Sequence, residues 1–263
     1  MTPVLIAIAL YLLATALLVG DVRAGRSRSR RAWLPVALAL ALHAWLHVQD
    51  WRGDGRLDLH FFASLSLTGL CMALLTAAYA ALGRMPALGV IVYPLAAACL
   101  LGYGLNGSDA ASSPPSDWRL QLHAWCALLA YSTLAIAALL AVLLWLQERA
   151  LRQHRLSTWL RALPPLTELE TLLFRTIGAG FALLTATLLT GLLFVDDLMA
   201  QHLVHKTVLS VLSWLAFGAL LVGRWRLGWR GPVAVRWTLT AMALLALAFF
   251  GSGFVLELVL RRS

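Results

Sequence analysis

Apolar residues in this chain come in long runs, not in alternation. The stretch from 3 to 20, PVLIAIALYLLATALLVG, holds no charged or amide side chain, and further runs of similar character follow to the C-terminus. With breaks taken at arginine, glycine and proline, the pattern predicts eight spans, at about 3–20, 32–49, 60–82, 86–104, 119–147, 172–195, 205–223 and 233–258. Runs of roughly 18 apolar residues suffice to cross a bilayer. No run alternates with period two, and backbone groups in lipid must bond within their own segment, so the runs are helices. The expected fold class is all-α: a polytopic membrane protein with a bundle of about eight transmembrane helices, organised as a single domain over 1–263.

The polar breaks carry the topology. Arg23, Arg26, Arg28, Arg30 and Arg31 follow the first span; Arg149, Arg152, Arg155 and Arg161 follow the fifth; Arg224, Arg226, Arg230 and Arg236 follow the seventh. Cytoplasmic loops of membrane proteins are enriched in arginine and lysine, so these three loops and the tight turn at Arg84 belong inside. The breaks at 50–59, 105–118 and 196–204 then face outward. Both termini fall outside, although Arg261 and Arg262 run against the rule. The first run has no basic region before it and reads as a retained helix, not a cleaved leader.

Composition narrows the function classes. Charged residues make up 13% of the chain, about half the usual share of a soluble domain. A net charge of +9 would suit nucleic acid, but the arginines sit in short loops between spans, where they set topology and meet anionic lipid. The expected surroundings are therefore the lipid bilayer, with no nucleic acid partner. Cys71, Cys99 and Cys126 lie inside apolar runs without metal-ligand or redox spacing and read as small buried hydrophobes. There is no nucleophile triad, phosphate loop or pair of catalytic carboxylates. The chain is not expected to be an enzyme, apart from a one-electron redox role through a bound cofactor.

Ionisable groups gather in DDLMAQHLVHK, residues 196–206, between two apolar runs. Of the seven histidines, six fall at or near the outer face on this topology: His43, His47, His60, His123, His202 and His205. His60 beside Asp58, and His154 among the inner arginines, need no special role. His43 and His47 are spaced i,i+4, which allows a shared ligand or only a polar seam along one helix face. His123 and His205 each open a span at similar depth, and ionisable residues in spans usually face the interior or a cavity. Zinc needs further ligands, which Asp196, Asp197 and His202 are placed to supply. Haem iron takes an axial imidazole on each side of a ring that wants apolar and aromatic walls, and Trp118, Trp125, Phe194 and Trp214 are near this depth. The residues alone leave both open, with a slight preference for haem.

Three stretches carry a resemblance: LHAWCALLAYSTLAIAALLAVLLWLQERALR, FVDDLMAQHLVHKTVLSVLSWLAFGALLVGRWRLGWRG and FFGSGFVLELVL. Together they resemble the cytochrome c assembly family of CcsA/CcmC-type haem-handling membrane proteins, and within it the short YpjD/HemX-like branch. His123 matches the first outward axial histidine of that family, Trp214 its later tryptophan, and Gly228-Trp229-Arg230-Gly231 its turn. The family's tryptophan-rich outer run reads Leu203-Val204-His205-Lys206-Thr207 here, without the tryptophans and the aspartate. Gly251, Ser252 and Gly253 stand where the second outward axial histidine is expected, and Val222 where an intramembrane histidine falls.

The resemblance implies a haem-binding inner-membrane protein of the cytochrome c assembly type, active in haem handling or cytochrome complex assembly. Haem b is the implied cofactor, with His123 and His205 as the axial pair and His202 as the rival to His205. Implied partners are haem and other membrane proteins of cytochrome assembly; the implied location is the bacterial inner membrane. The alternative is a non-enzymatic accessory protein that modulates another membrane protein, such as an ion transporter.

Overall fold

A computed structural model describes residues 1–24, 31–54, 60–83, 85–106, 117–154, 163–194 and 204–253. Among them are eight α-helices and no strand: α1 (Thr2–Arg23), α2 (Trp33–Asp54), α3 (Phe61–Ala81), α4 (Gly89–Asn106), α5 (Trp118–Arg152), α6 (Leu166–Phe194), α7 (Val204–Leu227) and α8 (Pro232–Gly253). Each expected span has its helix, and the chain is an all-α polytopic membrane protein. Seven of the helices are long and apolar enough to cross a bilayer. The remaining one, α2, is 22 residues long but carries His43, His47, Asp50 and Arg52, which lower its apolarity.

Three helices outrun the apolar runs that announced them by five residues or more. α2 continues to Asp54, α5 to Arg152, and α6 already begins at Leu166. Charged residues end a membrane span but not a helix once the chain reaches the interface, where water and ion pairs serve them. Arg152 meets Glu148 one turn back, at 2.6 Å. With 35 residues, α5 is about 52 Å long and exceeds a hydrocarbon core of about 30 Å.

Local chemistry sets the helix ends. Pro3 occupies the first turn of α1, where its missing N–H is no loss. Asp117 caps α5 by accepting from the Arg119 N–H at 3.1 Å. His60 precedes α3 in an extended conformation. His154 closes α5 in the left-handed region, with φ of 55°, and its N–H donates to the Leu151 carbonyl; this histidine is a helix-end residue.

The described helices fall into two compact units, α1–α4 and α5–α8. In the first, α1 packs on α2 and α4, and α3 on α4. Val4, Ala7, Ala63, Leu100 and Tyr103 form its buried cluster, with Ile8, Leu42 and Leu46 against it. In the second, α5 packs most extensively on α6, α6 on α7, α7 on α8 and α8 back on α5, which closes a four-helix ring. Its interior is dominated by Leu134, Ile136, Leu140, Leu144, Leu173, Ile177 and Phe217. Leu192, Leu193, Leu215 and Val222 are largely exposed on this unit, as are Leu12, Leu13 and Leu34 on the other. Such surface suits lipid, not water.

Contacts within the second unit fix the register of its helices. Gly180 of α6 lies so close to α5 that a Cβ there would be 2.5 Å from Leu134. Trp214 of α7 donates its indole N–H to Thr185 of α6 at 2.8 Å and stacks on Phe181, ring centres 5.5 Å apart. At the far end of these helices Arg224 of α7 reaches Glu170 of α6 at 3.1 Å and lies over the Phe174 ring. It also donates to the Trp229 carbonyl. Trp229 closes over Gly223, where any side chain would collide with the indole, and stacks on Trp237 of α8. Gly228 and Gly231 flank this turn at φ of 66° and 51°, a conformation that other residues adopt at a cost. A single clamp thus ties one end of α6, α7 and α8 together.

Candidate functional site

His123 lies in the second turn of α5, half-buried. Its Nδ1 is 3.1 Å from the Thr190 hydroxyl of α6. That hydroxyl has one proton, directed at the Ala186 and Thr187 carbonyls at 2.8 and 3.0 Å. The Thr187 carbonyl also faces the His123 ring. With the Thr190 proton on one of these carbonyls, the hydroxyl oxygen accepts from His123 Nδ1–H, and Nε2 is the nitrogen with the lone pair. This is the arrangement of a metal-ligating histidine, whose second ring nitrogen donates to an outer partner that fixes its tautomer and orientation. Gly191 makes room: a Cβ there would lie 3.1 Å from the imidazole Cε1.

Aromatic and cationic groups surround the same end of α5 and α6. Trp118 meets Phe194 edge-on, ring centres 5.9 Å apart. The Arg119 guanidinium lies over both rings, at 5.7 and 5.9 Å. This corner offers apolar faces and one positive charge. Trp125 is largely exposed, and Trp214 is taken up by Thr185 and Phe181, so neither lines it.

His205 is the second residue of α7 and is exposed. Among the described residues no hydrogen bond or ring contact joins it to His123. Register relates the two. Trp214 sits against Phe181 and Thr185; nine residues back along α7 is His205, and nine residues forward along antiparallel α6 is 190–194. Both histidines thus come to the level of the Thr190–Gly191 turn, from helices on opposite corners of the ring. His202, Asp196 and Asp197 lie outside the described residues, so the zinc ligands drawn from them have no described geometry. Among the described residues no three of His, Cys, Asp and Glu are grouped to hold a metal ion.

A second cluster, in α1–α4, was only half visible in the sequence. His43 is completely buried. Its Nδ1 is 3.2 Å from the Tyr11 hydroxyl and its Nε2 is 2.9 Å from the Ser66 hydroxyl. His47 brings its own Nε2 to the same Ser66 oxygen, at 3.0 Å. The His47 ring stacks on Tyr103 at 4.7 Å, and Tyr103 donates to Asp50. Tyr93 stacks on Tyr11 at 6.0 Å, and His60 on Tyr103 at the same spacing. The spacing of His43 and His47 pointed to a seam on one face of α2; Tyr11, Ser66 and Tyr103 carried no signal, because each looks ordinary in its own span.

The family model described as cytochrome C assembly protein matches residues 32–260. The inner membrane protein YpjD of Escherichia coli is 30% identical over 260 residues, which cover 97% of this chain and 98% of that protein. A 28.8 kDa protein of Azospirillum brasilense is 38% identical over 148 residues, 56% of this chain; the match spans about half of that protein, 54% of its length. The cytochrome c biogenesis protein CcsA of Guillardia theta is 29% identical over 160 residues, 52% of this chain and 53% of that one. No solved structure matches the chain significantly. With a family match that runs from α2 to beyond α8, and a relative aligned almost end to end, the chain belongs to the cytochrome c assembly protein family.

Proposed function

We propose that the protein binds haem b in the bacterial inner membrane and acts in haem handling or cytochrome complex assembly. His123 and His205 supply the axial imidazoles. The carrying observation is the common level of these two histidines on opposed helices of the α5–α8 ring. The tautomer of His123 agrees: Thr190 takes the Nδ1–H and Nε2 is left to bind iron. Trp118 and Phe194 offer apolar walls, and Arg119 a charge for the carboxylates at the ring edge. When bound, haem supplies a one-electron redox iron centre with two imidazole ligands. The protein's part is to hold and orient it, through Thr190 on one side and the start of α7 on the other. Membership of the family and similarity to an Escherichia coli protein named for the inner membrane support the location. The arginine loops support an orientation with both termini outside. Its partners are haem and other membrane proteins of cytochrome assembly.

The test is an absorption spectrum of protein purified in mild detergent after haem-replete expression. The wild type should show a low-spin bis-histidine haem spectrum. His123→Ala and His205→Ala should each lose it while the protein still accumulates, and His202→Ala should keep it. Loss in His202→Ala with retention in His205→Ala would move the second ligand to residue 202. Wild-type protein without haem would overturn the proposal in favour of an accessory protein that modulates another membrane protein.

A further inference from the structure

α5 and α8 pack against each other in the second unit. Toward the arginine-bearing end of α5 they enclose a groove of about 570 Å³, within the size range of ligand sites. On α5 its wall is Val142, Trp145, Arg149 and Arg152, and their spacing of three, four and three residues places them on one helix face. That face is about 15 Å long. α8 meets it with Val235, Arg236 and Leu239. We propose that this groove binds one anionic glycerophospholipid of the membrane, its phosphate held by Arg149 and Arg236 and its chains lying along Val142, Val235 and Leu239.

The order of chemistry along the groove carries the argument. The α5 wall is apolar at Val142, aromatic at Trp145 and cationic at Arg149 and Arg152. A phospholipid has the same order: chains, ester-linked glycerol, phosphate. The hydrocarbon core is about 30 Å thick and the whole bilayer about 40–45 Å, so each headgroup layer is about 5–8 Å deep. A face of about 15 Å is long enough to run from that layer into the hydrocarbon. Tryptophan favours the boundary between the two, and Trp145 is exposed between the arginines and the valine. The start of α8 is level with the end of α5, because a Cβ at Gly231 would lie 3.5 Å from the Glu148 carboxylate. α8 thus repeats the order, with Arg236 ahead of Leu239.

Charge in the groove is unbalanced. Among the described residues Glu148 is the only carboxylate that lines it, and Arg152 takes it at 2.6 Å. Arg149 and Arg236 are both exposed and have no carboxylate partner among the described residues. The Arg149 guanidinium lies over the Trp145 ring at 5.4 Å, which orients it and leaves its N–H edge open to a phosphate oxygen. Guanidinium groups match phosphate with paired donors. A free phosphate ion would satisfy these arginines but leave the apolar half of the groove uncovered. A zwitterionic lipid would cover that half but bring no net charge.

The test uses the full chain in bilayer discs of phosphatidylcholine with a minority of phosphatidylglycerol bearing the same chains. Native mass spectrometry then counts the lipid that stays with the released protein. Each arginine near an anionic lipid contributes about fivefold, so the wild type should retain phosphatidylglycerol in preference by roughly 10- to 25-fold. Arg236→Gln should cut that preference about fivefold, and Arg149→Gln combined with it should abolish the preference. Arg226→Gln removes an exposed arginine that does not line the groove and should leave the preference as it was. No preference in the wild type, or an equal fall in Arg226→Gln, would overturn the site. Displacement by inorganic phosphate, against chloride at the same ionic strength, would make it a site for a soluble anion and overturn the lipid. Should the double variant fail to accumulate, Arg236→Gln and Arg226→Gln decide alone. Nothing in the measurement needs haem, so failure here leaves the proposed haem site untouched.

Discussion

In α1–α4 a histidine is inside: His43 is fully buried at mid-span, and its two ring nitrogens meet Tyr11 and Ser66. In α5–α8 the buried polar groups are hydroxyls with Gln147 and Glu170, and the described histidines stand toward helix ends, His123 half-buried and His154 and His205 exposed. A buried imidazole with both nitrogens bonded has nothing left for a ligand. An imidazole at a helix end with one nitrogen bonded still has a lone pair to give. On the proposed reading the two units put the same side chain to different ends, and the count of satisfied nitrogens separates them better than depth alone.

That contrast can be broken in four places, taken from the largest expected effect downward. Thr190→Val removes the hydroxyl 3.1 Å from His123 Nδ1, and haem affinity should fall by about 10- to 100-fold. Haem titration of the purified variant measures it, and unchanged affinity would mean that the tautomer of His123 is not set there. His43→Leu should leave the Tyr11 hydroxyl without its partner in the membrane interior. The expected cost is about 1–3 kcal/mol of stability, read from reversible unfolding in mixed detergent micelles. The haem spectrum should stay as it was, and its loss would show that the two units are not chemically separate.

Gly228→Ala introduces a side chain into open space at φ of 66°, so only backbone strain is added. Stability should drop by about 1 kcal/mol in the same unfolding measurement, again with the spectrum intact. The smallest change is expected from Lys206→Met. Lys206 stands beside His205 at the start of α7, and a charge at the interface contributes little, so haem affinity should shift by less than about fivefold. A complete loss of haem would make Lys206 a direct contact.

How far the sequence disclosed all this follows from where each signal lies. The eight helices were legible because crossing lipid demands long apolar runs, and those are local in the chain. Their ends were less so: the sixth span was expected from 172, which left out Glu170, and its partner Arg224 lies 54 residues away. His123 was visible as a polar residue opening an apolar run, but its partner Thr190 lies 67 residues on and is one threonine among many. The buried cluster of α1–α4 was hardest to see. Its i,i+4 histidines were plain, yet Tyr11 and Ser66 join them only through packing between α1, α2 and α3, and a tyrosine or serine in a span attracts no notice by itself.

The clamp of Arg224, Glu170 and Trp229 has a mechanical consequence. It pins α7 at one end, while His205 lies nineteen residues away near the other, about 28 Å along the helix. A rod held this way is a lever. A tilt of about 5° around the clamp moves the His205 end by roughly 2.5 Å, more than an iron–imidazole bond length of about 2 Å. At the proposed haem site, small rotations at the pinned end would thus suffice to bring the imidazole to the iron or withdraw it, while the ion pair and the tryptophan stack at the fulcrum stay closed.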